Sequence, residues 1–234
     1  MKHRNNHFAV GYWSLIRRGR PAPDQADVDP KALKRLLPFV FLLDARNSSF
    51  VYRLAGTTLC ERYGGELRGR NFLEPWDRDS RTRLPALMQE ALAESAPLWL
   101  SSVGTTEDRK MVEIETVLMP MTFNAGARER FLGVAQVMTD VSPLLGRSMN
   151  FERLVASGLV REGDYAMAEA PLASAPPPVR RVRRSRGARG SHLQLVVSQT
   201  QPGAAQDQLA FGGNDALTVL LEKCAAERGG RFGN

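Results

Sequence analysis

The chain has 234 residues, 43% of them hydrophobic, with a formal net charge of +7 and a pI near 9.9. That length holds a modest domain with extensions, and a basic excess spread through both halves is too diffuse to specify nucleic acid or membrane as a partner. Cys60 and Cys224 alone make no disulfide framework, no apolar run approaches the ~20 residues that cross a bilayer, and Gly11, Ser14 and Arg17-Arg18 interrupt any signal peptide, so a cytoplasmic protein is expected.

At the start, Phe8, Tyr12, Leu15 and Ile16 recur on one helical face, predicting a helix that packs on something apolar. His3 and His7, at helical spacing, read as a frayed terminus rather than a metal site. Asp29-Pro30 predicts a second helix, capped by Asp29, with Pro30 in its first turn and Pro38 at its end. Phe39 to Asp44 is nearly all apolar and reads as a strand covered on both faces, the N-terminal helix being the natural cover for one. A polar turn, 45–49, leads into a second strand, Phe50 to Ala55, so the two form a hairpin. After Gly56, Thr57 is placed to cap a short helix carrying Leu59, Cys60 and Tyr63. Gly64 and Gly65 stop it, because glycine accepts the left-handed backbone of a helix end, and Gly69 marks a further turn.

Leu84, Leu87, Met88, Ala91 and Leu92 form the apolar face of a longer helix, in which Pro85 belongs to the first turn or makes a kink. Beyond Ser95-Ala96-Pro97 come three strands, Leu98 to Thr105, Lys110 to Pro120 and Arg130 to Thr139, joined by turns at 106–109 and 124–126. Two strands, several helices and three strands predict an α+β fold: a five-stranded antiparallel sheet with helices on one face. Alternation along the fourth strand puts Glu113 and Glu115 on one side, read as a solvated pair, and Val112, Ile114, Thr116 and Leu118 on the interior side. In the second strand Arg53 faces out, and Tyr52 and Leu54 face in. Together with Leu59, Tyr63, Phe72 and Trp76, these residues either fill a solid core or line a cavity in which Tyr52, Tyr63, Thr116 and the Trp76 nitrogen supply the few polar contacts.

Past the sheet, Asp140 or Ser142 caps a helix with Pro143 at its start, running through Leu144, Leu145, Met149 and Phe151 to about residue 161. From 162 to 213, Ala, Pro, Ser and Arg dominate, as in a disordered linker. Its Arg180, Arg181, Arg183, Arg184, Arg186 and Arg189 offer an anion contact that, lacking interleaved aromatics or a reading helix, is sequence-independent and salt-sensitive. A solvated tail is the default there, and nucleic acid the secondary expectation. A closing amphipathic helix, 214–229, has Asn214 as cap and Leu217, Leu220, Leu221 and Cys224 on one face, suited to a partner's groove or to its own sheet.

Tyr63-Gly64, Glu66-Leu67, Gly69-Arg70 and Phe72-Leu73 follow one another as in the glycine-punctuated centre of a PAS domain. Pro75-Trp76-Asp77-Arg78-Asp79 is similar to that family's Pro-x-Asp-Arg helix start, and Asp140-Val141-Ser142 to its Asp-Ile-Thr ending. The chain thus resembles the PAS family over about 38–145, with 1–37 as a helical extension. Tyr12-Trp13, Arg17-Arg18-Gly19-Arg20 and Leu36-Leu37-Pro38 are similar to short bacterial single-PAS proteins. The resemblance implies a sensory domain in signal transduction. It makes Asp140, Ser142 and Pro143 the junction through which changes in the sheet reach an output, here a protein partner or a homodimer.

The cofactor stays open. His3, His7 and His192 all fall outside 38–145, which argues against a His-ligated haem. Phe72 follows Gly69-Arg70-Asn71 where light-sensing flavin members carry their adduct-forming cysteine, which argues against cysteinyl-flavin photochemistry. No P-loop, metal-ligand spacing or histidine beside a nucleophile specifies a reaction. The expectation is a non-catalytic regulator that binds a small ligand, a protein partner or both. The alternatives are a nucleic-acid-associated protein using the arginine tract, and a ligand-free scaffold.

Overall fold

A computed structural model describes residues 1–46, 49–124, 126 and 129–165. Five strands lie where alternation and β-branched residues place them: β1 (Val40–Arg46), β2 (Ser49–Ala55), β3 (Leu98–Thr106), β4 (Met111–Met121) and β5 (Arg130–Val137). A sixth, β6 (Met149–Leu159), stands where the output helix was expected. All pairings are antiparallel, and the order is β2-β1-β5-β4-β3-β6. The correction has a tertiary cause, because β6 satisfies the outer backbone edge of β3 from Leu98 to Thr106, which a helix would leave bare.

Helices cover both faces. On one lie α2 (Thr57–Arg62) and α3 (Arg78–Glu94), over a core that includes Phe41, Tyr52, Leu84, Met88, Ile114 and Phe131. On the other lies α1 (Arg4–Arg17), over Val40, Leu42, Val117, Met119 and Val134. The buried stripe of α1 is Asn6, Ala9, Val10 and Trp13, rotated from the expected Phe8–Ile16 face, and Leu15 is exposed. The rotation lets the Trp13 indole donate to the Pro120 carbonyl at 2.7 Å while its ring stays buried. Residues 30–36 form successive turns rather than the expected helix, although Asp29 does accept from the Lys31 amide at 2.9 Å and Leu33, Leu36 and Leu37 are buried beneath them.

The cap of the short helix moves by one residue, and Pro85 falls inside the long helix rather than in its first turn. Gly56, not Thr57, is the N-cap of α2. The long helix starts at Arg78, capped by Asp77, whose Oδ1 accepts from the Ser80 amide at 2.9 Å, so Pro85 lies in its interior and cannot donate to the Arg81 carbonyl. Four residues of the expected linker form a last helical turn, α4 (Glu162–Tyr165), tied to α1 by the Arg17–Glu162 ion pair. The rest of the linker, the Arg180–Arg189 tract and the 214–229 helix lie outside the described residues.

One segment, 69–77, binds both borders of the sheet. On β2, the Tyr52 amide donates to Arg70 O, the Gly69 amide to Tyr52 O and the Phe72 amide to Phe50 O, at 3.0, 2.7 and 2.7 Å. On β6, the Glu152 amide donates to Pro75 O and the Asp77 amide to Glu152 O, at 2.7 and 2.9 Å.

Glu115 departs from the expected solvated pair. Glu113 is exposed, but Glu115 is 2% exposed, because the N-terminus folds onto it. The Lys2 amide donates to Oε2 at 2.5 Å, and the His3 amide and Asn6 Nδ2 donate to Oε1 at 2.8 and 3.0 Å. The expected frayed end is therefore anchored, with His3 as the N-cap of α1. Burial alone would raise this carboxyl, but the backbone donors of His3 and Lys2 outweigh it and hold it below its ordinary range. The folded state thus binds the Glu115 proton more weakly than the unfolded chain. Its contribution is full above the ordinary value of 4.5 and is lost as pH falls through the lowered one. Glu115→Ala should cost about 1–3 kcal/mol and raise amide exchange in α1 first. In the wild type, exchange at Lys2 and His3 should rise only below the ordinary carboxylate range; equal α1 protection in the variant would contradict the anchor.

Candidate functional site

The space between the sheet and α2–α3 begins as a wall of rings. Phe41 and Tyr52, brought together by the β1–β2 hairpin, meet edge to face at 5.6 Å between centroids. Phe72 lies 6.0 Å from Phe41 and 5.9 Å from Tyr52, and Trp76 lies 5.7 Å from Phe72. Leu59, Ile114 and Leu118 join the same core, Tyr63 packs against it, and Thr116, 3% exposed, shares the parity of Ile114 and Leu118 along β4.

Leu54 does not belong there. A bulge pairs Leu42 with Leu54 but Leu43 with Tyr52, leaving Arg53 as the extra residue. Tyr52 and Leu54, expected to face the same way, therefore point to opposite sides, and Leu54 packs in the core beneath α1. Strict alternation cannot see an inserted residue.

Behind the rings is a polar cluster that sequence reasoning missed. Tyr63 caps α2 at its C-terminal end, and its hydroxyl donates to Glu152 Oε2 at 2.5 Å. The Ser102 hydroxyl, from β3, donates to Glu152 Oε1. Arg62, the last residue of α2, turns inward, where Nη2 donates to the Ala135 carbonyl at 3.5 Å. Its Nε and Nη1 have no acceptor, and neither does the Trp76 Nε1 donor. Burial pushes the Glu152 carboxyl up, opposed by the Ser102 and Tyr63 hydroxyls and by the Arg62 charge. Burial, then the Glu152 charge, pushes the Tyr63 phenol up, and Tyr52 shifts the same way. Cys60, half-buried at the rim, is likewise raised by burial and is not poised as a thiolate.

The missed residues had different disguises. Arg62 ends a short helix, where an arginine ordinarily points to solvent. Glu152 fell inside a segment read as helical, although Glu152 and Leu154 alternate with Phe151 and Arg153 as a half-buried strand requires. At the junction, Asp140 Oδ1 accepts from the Ser142 amide at 3.0 Å and hydroxyl at 2.8 Å, but in place of the expected helix capped by Asp140 or Ser142 there is a single 3₁₀ turn, Ser142–Leu144, that contains Pro143 and has Val141 as its N-cap without a side-chain bond. The chain then enters β6 and reaches Glu152.

A family model described as a PAS domain matches residues 1–136, more than half of the chain. The chain belongs to the PAS domain family. The matched stretch takes in α1 as well as the first five strands. Among solved structures of similar fold is a light-oxygen-voltage domain at 13% identity and a TM-score of 0.39, covering 47% of this chain and 84% of that one. A LOV protein of Rhodobacter sphaeroides is similar at 16% identity and 0.38, covering 50% and 72%. A Vibrio cholera VqmA chain, solved with a ligand and DNA, is similar at 18% and 0.38, covering 47% of this chain and half of its own. These likenesses concern fold alone. No curated protein matches the chain. Among the described residues, no helix is long and apolar enough to cross a membrane.

Proposed function

We propose that this PAS protein is a cytoplasmic, non-catalytic regulator that senses a small ligand between the sheet and α2–α3 and signals to a protein partner or a second copy of itself. The observation that carries the reading is the set of donors buried without acceptors, Arg62 Nε and Nη1 and Trp76 Nε1, beside an aromatic wall. Buried polar groups are nearly always paired, so orphaned ones in a family of sensors mark where a guest completes the structure. The route outward is short: Tyr63, Ser102 and Arg62 meet Glu152, which β6 joins directly to the Asp140–Ser142–Pro143 junction. A guest that shifts Glu152 shifts the pairing of β6, and with it that turn.

The test is native mass spectrometry of the protein purified from its host, together with amide exchange. A sensor should carry, or take up on exposure to host extract, an additional small mass that Trp76→Phe or Ile114→Ala weakens, and uptake should slow exchange in β6. A bare polypeptide with no uptake would leave a protein-interaction scaffold as the better account. Loss of nucleic-acid retention on deleting residues beyond 165 would instead favour the arginine tract.

A further inference from the structure

Arg62 is only 3% exposed, yet its guanidinium has the single long contact to Ala135 O. Both oxygens of the neighbouring Glu152 are already engaged by hydroxyls, one by Ser102 and the other by Tyr63. A buried cation short of acceptors is unfavourable, and an acceptor supplied by a guest removes that deficit. Phe72 packs on Tyr52 and Trp76 on Phe72, and Trp76 also pairs through its backbone with Glu152, so the rings and the charged groups are neighbours. The charge count limits the guest. Among the described residues the buried cations are Arg62 and Arg130, and Arg130 lies on the other side of the sheet, bonded to Asp44 and Gln25. While the buried Glu152 carboxyl, whose titration burial shifts upward, is protonated, one guanidinium balances one negative charge from a guest. A phosphate dianion would leave an excess charge buried beside a carboxyl group.

We propose that the PAS interior binds a small monocarboxylate with an apolar, preferably aromatic, body, its carboxylate accepting from the Arg62 guanidinium and its body lying against Phe72 and Trp76. This rests on the sensory reading above and names the ligand class of that same site. Glu152, held by Tyr63 and Ser102, faces the same guanidinium and favours a singly charged guest over a dicarboxylate.

The experiment measures binding of benzoate, phenylacetate and isovalerate to the full chain, each against its neutral amide, by calorimetry and thermal shift. The acids should bind and raise the melting temperature, and the amides should bind at least about tenfold more weakly, the value of one hydrogen bond to a charged group. Arg62→Met should remove the preference for acids, while Arg62→Lys should retain part of it. Should Arg62→Met fail to fold, the acid–amide comparison on the wild type still decides. Amides binding as well as acids would overturn the anion assignment and leave the sensory reading standing. Inorganic phosphate binding more tightly than the acids would overturn the monocarboxylate assignment. If no probe binds, the monocarboxylate assignment is lost, and an independent co-purifying mass decides whether the sensory reading goes with it.

Discussion

Glu152→Ala is expected to destabilise the domain by on the order of 3 kcal/mol, whereas Glu152→Gln should be close to neutral at pH 7. Alanine leaves the Tyr63 and Ser102 hydroxyls and the Arg62 guanidinium facing a void, while glutamine keeps an oxygen and the volume. The pH dependence separates packing from charge. Because the folded Glu152 carboxyl titrates above its ordinary value of 4.5, the native state holds this proton over a window in which the unfolded chain has released it. Glu152 is therefore best accommodated at or below the ordinary value, and its contribution declines as pH rises through the raised one, opposite in sign to Glu115. Urea midpoints measured from pH 4 to pH 8 should fall more steeply for the wild type than for Glu152→Gln. Parallel profiles would mean that the carboxyl is not held as described.

Gly133→Ala should cost about 1–3 kcal/mol or more, at a strand position where alanine is otherwise tolerated. A Cβ there meets three carbons of the Phe41 ring at 2.1, 2.3 and 2.6 Å. Phe41 cannot retreat, because it is 1% exposed and already packed against Tyr52 and Phe72. The glycine is thus the floor on which the aromatic wall stands. A double-mutant cycle with Phe41→Leu should recover much of the loss, and full additivity of the two costs would show that the clash is relieved elsewhere. Since Phe41 contacts Phe72, the same substitution should weaken any interior guest while leaving the α1 side unchanged.

Much of the architecture was legible because its signals are local. Runs such as Phe50–Ala55 and the alternation of Val112, Ile114 and Leu118 against Glu113 report strand and face directly, and the strand ends fall within two residues of expectation. What stayed hidden depends on groups far apart in sequence. β6 carries only a short alternation from Phe151 to Leu154, with a carboxylate at a buried position, and its pairing along β3 is what fixes it as a strand. Glu115 is buried because the chain's first residues reach it from more than 100 positions away. Leu54 changed sides through one bulged residue, and Arg62 turned inward although its type and place suggest solvent. The ring-bearing side of the site was therefore readable, and its charged side was not.

The stretch 69–77, hydrogen-bonded to the first and last strands in spatial order, acts as the clasp of a hoop. With the clasp fastened, neither rim of the sheet offers a full ladder of backbone groups to another chain, a safeguard against unwanted strand addition. A second chain adding a strand to either rim would first have to break these few backbone bonds.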